Sequence, residues 1–259
     1  MSMGSLAAFH TATEGDVPEP WLVVGEHSFR SRLILGIEQY TSPELVGAVL
    51  EAGGCDVFIT TFDLTNARPS LLLSDLDEVV ELDRFTWIGT TSFARTKDEA
   101  LRTVRALRDA FGIQVMKLDV RPADNLPHNA QTVTAARELV ADGFAVLPFI
   151  RPDVDTALEL QDIGCSAIRV LTSPVASHRG IDDPDAVRAV IEAVDVPVVI
   201  EGGLGSPAHV VAAMELGATA VLVNTAVAVA ASPARMAAAM RHAVLAGQYG
   251  VGQVTRPQA

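Results

Sequence analysis

Apolar runs with strand character alternate with stretches of helical period along the chain from residue 31 onward. The runs are nearly continuous in Val, Ile and Leu, which is typical of strands that helices cover on both faces of a parallel sheet. Eight runs are predicted as strands: Arg32–Gly36, Asp56–Phe62, Thr86–Thr91, Val115–Val120, Phe144–Ile150, Ala167–Thr172, Pro197–Gly203 and Ala220–Ala226.

Helix signals lie between these runs. Ser-Pro pairs that begin at Ser42, Ser206 and Ser232 place an N-cap serine before a proline in the first helical position, where the missing N–H costs nothing. Glycines mark the predicted helix ends at Gly53, Gly112, Gly143, Gly164, Gly217 and Gly247.

Eight strands that each precede a helix, without a linker, predict an α/β fold, a single-domain (β/α)8 TIM barrel. The alternative is an open doubly wound sheet, which would need a Gly-rich nucleotide turn after its first strand, and Gly36-Ile37-Glu38-Gln39 is not such a turn. We expect a disordered N-terminal segment over residues 1–20, the barrel over 21–250 and a tail over 251–259. Trp21–Phe29 is predicted as a short hairpin that closes the bottom of the barrel.

The fourth run carries the candidate chemistry. Alternate side chains of a strand share one face, so Lys117 and Asp119 lie together on a strand whose other face is apolar. Glu201 falls at the end of the seventh run, and active sites of this fold lie at the carboxyl ends of the strands. A buried ion pair without a further role is the alternative, but lysines and carboxylates are rarely buried without a reason, so we favour function. The sequence predicts Lys117 as an imine-forming amine and Asp119 and Glu201 as proton-transfer residues.

Phosphate binding is expected in the loops after the seventh and eighth strands. These loops contain Gly202, Gly203 and Gly205, then Asn224 and Thr225, and the glycines allow the backbone to approach an anion closely. A plain tight turn would explain either loop alone. Arginines recur just past the strand ends, which suits an anionic substrate.

The bulk composition excludes some partners. A formal net charge of −13 argues against nucleic acid or an anionic membrane, since both require a basic surface. No apolar run reaches the roughly 18 residues that a membrane-spanning helix needs. Cys55 and Cys165 have neither metal-ligand spacing nor a disulfide framework, which indicates a reducing cytoplasm. No cofactor and no metal site are predicted.

Several stretches between Trp21 and Gly247 resemble bacterial thiazole synthase. They are Ser28–Leu33, Met116–Asp119, Asp142–Pro148, Ser173-Pro174, Val196–Gly205, Ala213–Ala218 and Val223–Ala226. The resemblance implies that Lys117 forms an imine with the ketone of a phosphorylated sugar. It also implies a homo-oligomer and a small sulfur-carrier protein that delivers sulfur from its C-terminal Gly-Gly thiocarboxylate. Asp119 and Glu201 stand where the family usually has glutamate and aspartate.

Loops after strands one, three and six depart from the family pattern. Gly36–Gln39 replaces Gly-Thr-Gly-Lys, Gly89–Phe93 replaces Pro-Asn-Thr-Ala-Gly, and Val170–Ala176 replaces Pro-Leu-Gly-Ser/Ala-Pro-Ile-Gly. Arg169 stands where methionine is common, and we predict that Arg169, Ser173 and Arg179 bind the substrate. A retained lysine with a rebuilt pocket indicates an altered substrate.

We therefore predict formation of a 2-thiosugar phosphate from a hexose 6-phosphate, as in the similar 2-thiosugar synthases of secondary metabolism. The close alternative is thiazole phosphate formation from deoxyxylulose phosphate in thiamine biosynthesis. A class I aldolase-like lyase would use the same lysine without sulfur, and a catalytically dead barrel would only dock the carrier protein.

Overall fold

The computed structural model describes residues 19–61 and 76–251 of the chain. Two short strands, β1 (Leu22–Val24) and β2 (His27–Phe29), come first. The strands that follow are β3 (Leu33–Gly36), β4 (Val57–Thr61), β5 (Thr86–Thr90), β6 (Val115–Leu118), β7 (Ala145–Ile150), β8 (Ile168–Leu171), β9 (Val198–Glu201) and β10 (Ala220–Val223). Each of these eight pairs in parallel with the next and β10 pairs with β3, so they close into a ring and confirm the predicted (β/α)8 barrel.

Helices follow the strands and cover the outside of the ring. They are α1 (Pro43–Gly53), α2 (Lys97–Phe111), α3 (Asn129–Ala141), α4 (Val154–Ile163), α5 (Pro184–Ala193), α6 (Pro207–Glu215), α7 (Thr225–Ala228) and α8 (Pro233–Gly250), with a 3-10 turn at Leu82–Arg84. None of the helices in residues 19–61 and 76–251 is long and apolar enough to cross a membrane.

Each predicted run contains one barrel strand, but most runs extend past the carboxyl end of that strand. The run predicted over Ala220–Ala226 leaves β10 after Val223 and enters α7 at Thr225. Gly202 and Gly203, predicted within strand seven, have φ angles of 89° and 69°, and β9 ends before them. Apolar composition is shared by a strand end and the turn after it, so composition does not locate the boundary.

Parts of three predictions lie outside the described residues. These parts are residues 1–18 of the expected disordered segment, Phe62 of the second run and residues 252–259 of the expected tail.

Serine caps begin two of the three Ser-Pro helices as predicted. The hydroxyl groups of Ser42 and Ser206 accept hydrogen bonds from the N–H groups of Leu45 and His209. Ser232 occupies the cap position of α8 without a side-chain hydrogen bond.

Gly247 does not end a helix, so that prediction is wrong. The helix α8 continues to Gly250. A Cβ atom at residue 247 would lie 2.4 Å from Met214 Cβ, so glycine here allows α6 and α8 to pack closely.

The predicted hairpin forms and covers one end of the barrel. β1 and β2 pair in an antiparallel register, and the buried side chains of Leu22 and Phe29 join the apolar cluster inside the ring. That cluster includes Val115 and Ala145, the first residues of β6 and β7. The hairpin therefore closes the amino ends of the strands and leaves the carboxyl ends for a site.

The two faces of β6 divide as the sequence predicts. Val115 belongs to the cluster inside the barrel, whereas Met116 and Leu118 belong to the cluster between the strands and the helices. Because side chains alternate along a strand, Lys117 points into the barrel.

Candidate active site

Lys117, Asp119 and Glu201 meet at the carboxyl end of the barrel. Lys117 Nζ lies 2.9 Å from Asp119 Oδ2 and 3.3 Å from Glu201 Oε1. All three residues are buried, with exposed fractions of 4%, 0% and 7%. The predicted convergence is confirmed, while the catalytic role of each residue stays a prediction.

Arg169 of β8 crosses between the two carboxylates. Its Nη2 lies 2.8 Å from Asp119 Oδ1, and its Nε donates to Glu201 Oε2 at 2.7 Å. Its Nη1 donates to the Leu147 carbonyl at 2.9 Å, and the guanidinium lies 4.7 Å from the centroid of the Phe149 ring. Since these contacts are all within the protein and the side chain is buried, Arg169 holds the two carboxylates in place.

The pKa of the Asp119 carboxyl is lowered from its ordinary value. Burial alone would raise this pKa, but the positive charges of Arg169, Lys117 and Arg121 together outweigh burial and favour the carboxylate. Arg121 Nε lies 3.3 Å from Asp119 Oδ2. Asp119 is therefore ionised at neutral pH and is a weak base.

The loop after β5 positions both the lysine and the aspartate. Thr91 Oγ1 lies 2.7 Å from the backbone oxygen and 2.7 Å from the backbone nitrogen of Asp119, donating to one and accepting from the other. Ser92 Oγ accepts a hydrogen bond from Lys117 Nζ at 3.3 Å, and the Ser92 carbonyl accepts one from Arg121 Nη2 at 2.5 Å. This loop departs from the family pattern in sequence, yet its Ser92 hydroxyl group contacts the candidate nucleophile directly.

Glu38 is a site residue that the sequence pattern did not single out. It follows β3, and its Oε2 accepts a hydrogen bond from Asn224 Nδ2 at 2.7 Å. Burial raises the pKa of the Glu38 carboxyl, attraction by Lys117 opposes this, and repulsion by Glu201 adds to it. The available signal was a charged residue two positions beyond a buried strand end, at the face where the active site was expected.

A small pocket of about 50 Å³ opens beside Glu201. Its lining includes Gly202, Gly203, Asn224 and Thr225, so the two predicted phosphate loops border one cavity.

Gly203 is required by the geometry of this wall. Its φ angle is 69°, and a Cβ atom there would lie 1.6 Å from Ser173 Oγ. Ser173 in turn donates to the Gly180 carbonyl at 2.8 Å. Ser173 therefore supports the glycine loop from behind.

Four of the predicted substrate-binding residues do not line the pocket. Arg169 and Ser173 are buried behind its wall, as described above. The Gly205 N–H donates to His209 Nδ1 at 3.1 Å, near the start of α6. Arg179 is exposed and forms an ion pair with Asp182.

The mouth of the barrel is arranged for amine and carbonyl chemistry. Within the described part of the chain, no group of three or more His, Cys, Asp or Glu side chains is placed to hold a metal ion. An amine held between carboxylates can attack a carbonyl group, and a carboxylate beside a pocket can exchange protons with the adduct. Buried charges are costly, and here they gather at the end of the barrel where this fold does its chemistry. The protein is a TIM-barrel enzyme.

Comparison with known proteins gives the family. The model of the thiazole biosynthesis protein ThiG matches residues 23–257. Thiazole synthase of Syntrophobacter fumaroxidans is 40% identical over 232 residues, which cover 88% of this chain and 89% of that protein. Thiazole synthase of Maricaulis maris is 39% identical over 232 residues, with coverage of 88% and 85%. The chain belongs to the thiazole synthase family.

A solved structure is similar over nearly the whole chain. In the crystal structure of the BexX/CysO complex of Amycolatopsis orientalis, the matching chain is 59% identical and superposes with a TM-score of 0.90. The match covers 93% of this chain and 99% of that chain.

Proposed function

We propose that Lys117 forms an imine with the ketone of a phosphorylated sugar, and that a sulfur-carrier protein delivers sulfur to that sugar from its C-terminal Gly-Gly thiocarboxylate. The preferred substrate is a hexose 6-phosphate, which gives a 2-thiosugar phosphate. The observation that carries the proposal is the position of Lys117 Nζ. This nitrogen lies 3.3 Å from Glu201 Oε1, and the Glu201 carboxylate borders the pocket.

The two carboxylates have different roles in this proposal. Addition of the lysine amine to the carbonyl carbon releases the carbonyl oxygen as water, and the adduct becomes a cationic imine at C2 of the isomerised hexose. Glu201 borders the pocket and moves protons at the adjacent carbon. Asp119 stays ionised and stabilises the positive charge of the imine, 2.9 Å from Nζ in the free enzyme. The thiocarboxylate sulfur then adds at the imine carbon, and water cleaves the acyl–sulfur bond, which frees the carrier protein as a carboxylate. Expulsion of the Lys117 amine leaves a thioketone at C2, which tautomerises through the enethiol to the 2-thiosugar phosphate.

The glycine loop and Thr225 supply the proposed phosphate site. Gly202, Gly203 and Thr225 border the pocket beside Glu201. Backbone N–H groups of glycine-rich loops bind phosphate in this fold. A phosphate held here leaves the carbon chain of the sugar extending toward Lys117.

Two residues of the mouth favour a hexose phosphate. Arg169 stands where methionine is common in the family, and Glu38 takes the place of the second glycine of the family loop Gly-Thr-Gly-Lys. Arg169 acts through the two carboxylates that it holds, whereas Glu38 adds a polar group at the mouth, which suits a more hydroxylated sugar. Thiazole phosphate formation from deoxyxylulose phosphate is the second candidate, because thiazole synthases that are 40% and 39% identical support it.

A protein partner is supported by the BexX/CysO complex, whose matching chain is 59% identical. Phe93, in the loop after β5, is 63% exposed, and Val229, just after α7, is 64% exposed. Both follow carboxyl ends of barrel strands, so they offer apolar contacts on the face that holds Lys117. The proposed partners are thus the phosphosugar, the carrier protein and further copies of this chain.

Reduction with borohydride tests the proposal, because it converts an imine into a stable amine. The protein is incubated with glucose 6-phosphate, fructose 6-phosphate or deoxyxylulose 5-phosphate, reduced, and weighed by mass spectrometry. We expect a larger adduct yield with a hexose phosphate than with deoxyxylulose phosphate, located on Lys117 and absent from Lys117→Met.

The other lysine of the chain provides the matched control. Lys97 lies on α2, 2.7 Å from Glu138 Oε1, and Lys97→Met should keep the full adduct. An adduct with deoxyxylulose phosphate alone would favour the thiazole reaction, and sugar cleavage without a sulfur source would favour an aldolase. If none of the three sugars adds to Lys117, the proposal is wrong.

A further inference from the structure

Glu38 and Asn224 lie across the mouth of the barrel from Lys117. Glu38 follows β3 and Asn224 follows β10, and these two strands pair with each other. Lys117 is on β6, four strands away from β10 in the ring of eight. A ligand that joins Lys117 to the pocket at Asn224 therefore has Glu38 beside it.

This pair is built into the end of β3. Asn224 Nδ2 donates to Glu38 Oε2 at 2.7 Å. A Cβ atom at Gly36 would lie 2.4 Å from that Oε2 and 2.5 Å from that Nδ2, so glycine leaves the space that both side chains occupy. The two side chains are oriented before any ligand binds.

Acceptor atoms without a partner among the described residues remain on the pair, beside the second N–H of Asn224 Nδ2. Asn224 Oδ1 is buried and has no hydrogen-bond partner among the residues that the structure describes. Within the same residues Glu38 forms no ion pair, whereas Asp119 and Glu201 are both held by cations. A buried polar atom without a partner needs an explanation, and a ligand that donates a hydrogen bond supplies one. Sugar hydroxyl groups donate, whereas a phosphate dianion cannot donate and is repelled by a carboxylate.

We propose that Glu38 and Asn224 form a hydroxyl-binding subsite that recognises the carbon chain of the sugar, while the glycine loop takes the phosphate. This subsite rests on the proposed function, which brings a phosphosugar into the mouth. A hexose 6-phosphate has one more hydroxylated carbon between ketone and phosphate than deoxyxylulose phosphate has. A ligand without the matching hydroxyl leaves the acceptors unpaired, so the subsite selects for the hexose.

Binding to an enzyme that cannot form the imine tests the subsite directly. Calorimetry on Lys117→Met is carried out with fructose 6-phosphate and its 3-deoxy, 4-deoxy and 5-deoxy analogues. We expect at least one analogue to bind about tenfold more weakly, which is the size of one lost hydrogen bond. Addition of Glu38→Ala should weaken binding of fructose 6-phosphate to the level of that analogue and remove the difference between them.

Glu51→Ala in the same background is the matched control, because it removes an exposed glutamate of α1 and should keep the discrimination. Circular dichroism checks that each variant is folded. Equal binding of all four sugars, no binding of any, or discrimination that survives Glu38→Ala would overturn the subsite. Hydroxyl discrimination without a borohydride adduct would overturn the proposed function alone, and an adduct without discrimination would overturn the subsite alone.

Discussion

Arg169 neutralises negative charge at the barrel mouth, because it pairs with both Asp119 and Glu201. Its guanidinium reaches Asp119 Oδ1 at 2.8 Å and Glu201 Oε2 at 2.7 Å, and Arg121 adds a second cation beside Asp119. Two arginines therefore face the two carboxylates, apart from the contacts that Lys117 makes. Burial of unpaired charge costs several kcal/mol, so this balance stabilises both carboxylates inside the barrel.

Removal of this arginine should destabilise the protein and change its response to acid. We expect Arg169→Met to lower the free energy of unfolding by about 3–5 kcal/mol at about pH 7, because it leaves buried carboxylates without a partner. Urea unfolding followed by circular dichroism measures this loss. Arg137→Met is the control, since Arg137 forms an exposed pair with Glu159 and should change stability by less than about 1 kcal/mol.

The difference in free energy of unfolding between the wild-type protein and Arg169→Met should become smaller as the pH falls. The folded pKa of Asp119 is lowered, so its ionisation stabilises the native protein above the unfolded pKa of about 3.9, and this contribution is lost as the pH falls through the folded pKa. Without Arg169 the pKa of Asp119 in the folded protein rises, so Asp119 of the variant is protonated at a higher pH. Protonation removes the buried negative charge and with it part of the destabilisation. A stability difference that stayed constant as the pH fell from about 7, through the unfolded pKa of about 3.9, to about 2 would contradict this account.

At the scale of elements, the strands were predictable from the sequence, whereas some side-chain contacts between different strands were not. Near-continuous apolar runs indicate eight buried strands, and alternation places Lys117 on the inner face. The same alternation turns Arg169 inward, but only the register of β8 against its neighbours decides which carboxylates it meets. Glu38 and Asn224 are 186 residues apart and are in contact because β10 pairs with β3. No local sequence pattern predicts this contact.

Packing between α6 and α8 gives a prediction whose sign depends on position. Alanine normally stabilises a helix relative to glycine by up to about 1 kcal/mol. At residue 247 the added Cβ would lie 2.4 Å from Met214 Cβ, so we expect Gly247→Ala to destabilise the protein by about 1–3 kcal/mol. Thermal or urea unfolding measures the change.

Gly250→Ala is the matched control on the same helix. Among the residues that the structure describes, a Cβ atom there would meet Glu215 Oε1 alone, at 3.7 Å, so we expect neutral or slightly increased stability. Equal effects of the two substitutions would show that α6 can move to accommodate the extra methyl group, and the close-packing explanation of Gly247 would fail.

At the scale of the whole molecule, the strands form a closed ring without a free edge. The two cysteine thiols lie on opposite sides of this ring, so their reactivity can be used to follow the unfolding of each side. Cys55 precedes β4 and Cys165 precedes β8, and these strands are four apart in the ring of eight. Burial raises the pKa of each thiol to about 12, which leaves little thiolate to react at neutral pH. Each thiol is therefore protected for as long as its own side of the barrel stays folded.

We expect both thiols to become reactive together, because a closed barrel with one interior cluster loses its packing as a unit. Alkylation by iodoacetamide across a urea series, with each cysteine followed by peptide mass spectrometry, should give one midpoint that matches the loss of circular dichroism. Fully unfolded protein, in which both thiols react freely, calibrates the two intrinsic rates. If Cys165 reacted at a lower urea concentration than Cys55, the half of the ring around β8 would open separately, and the barrel would not be a single cooperative unit.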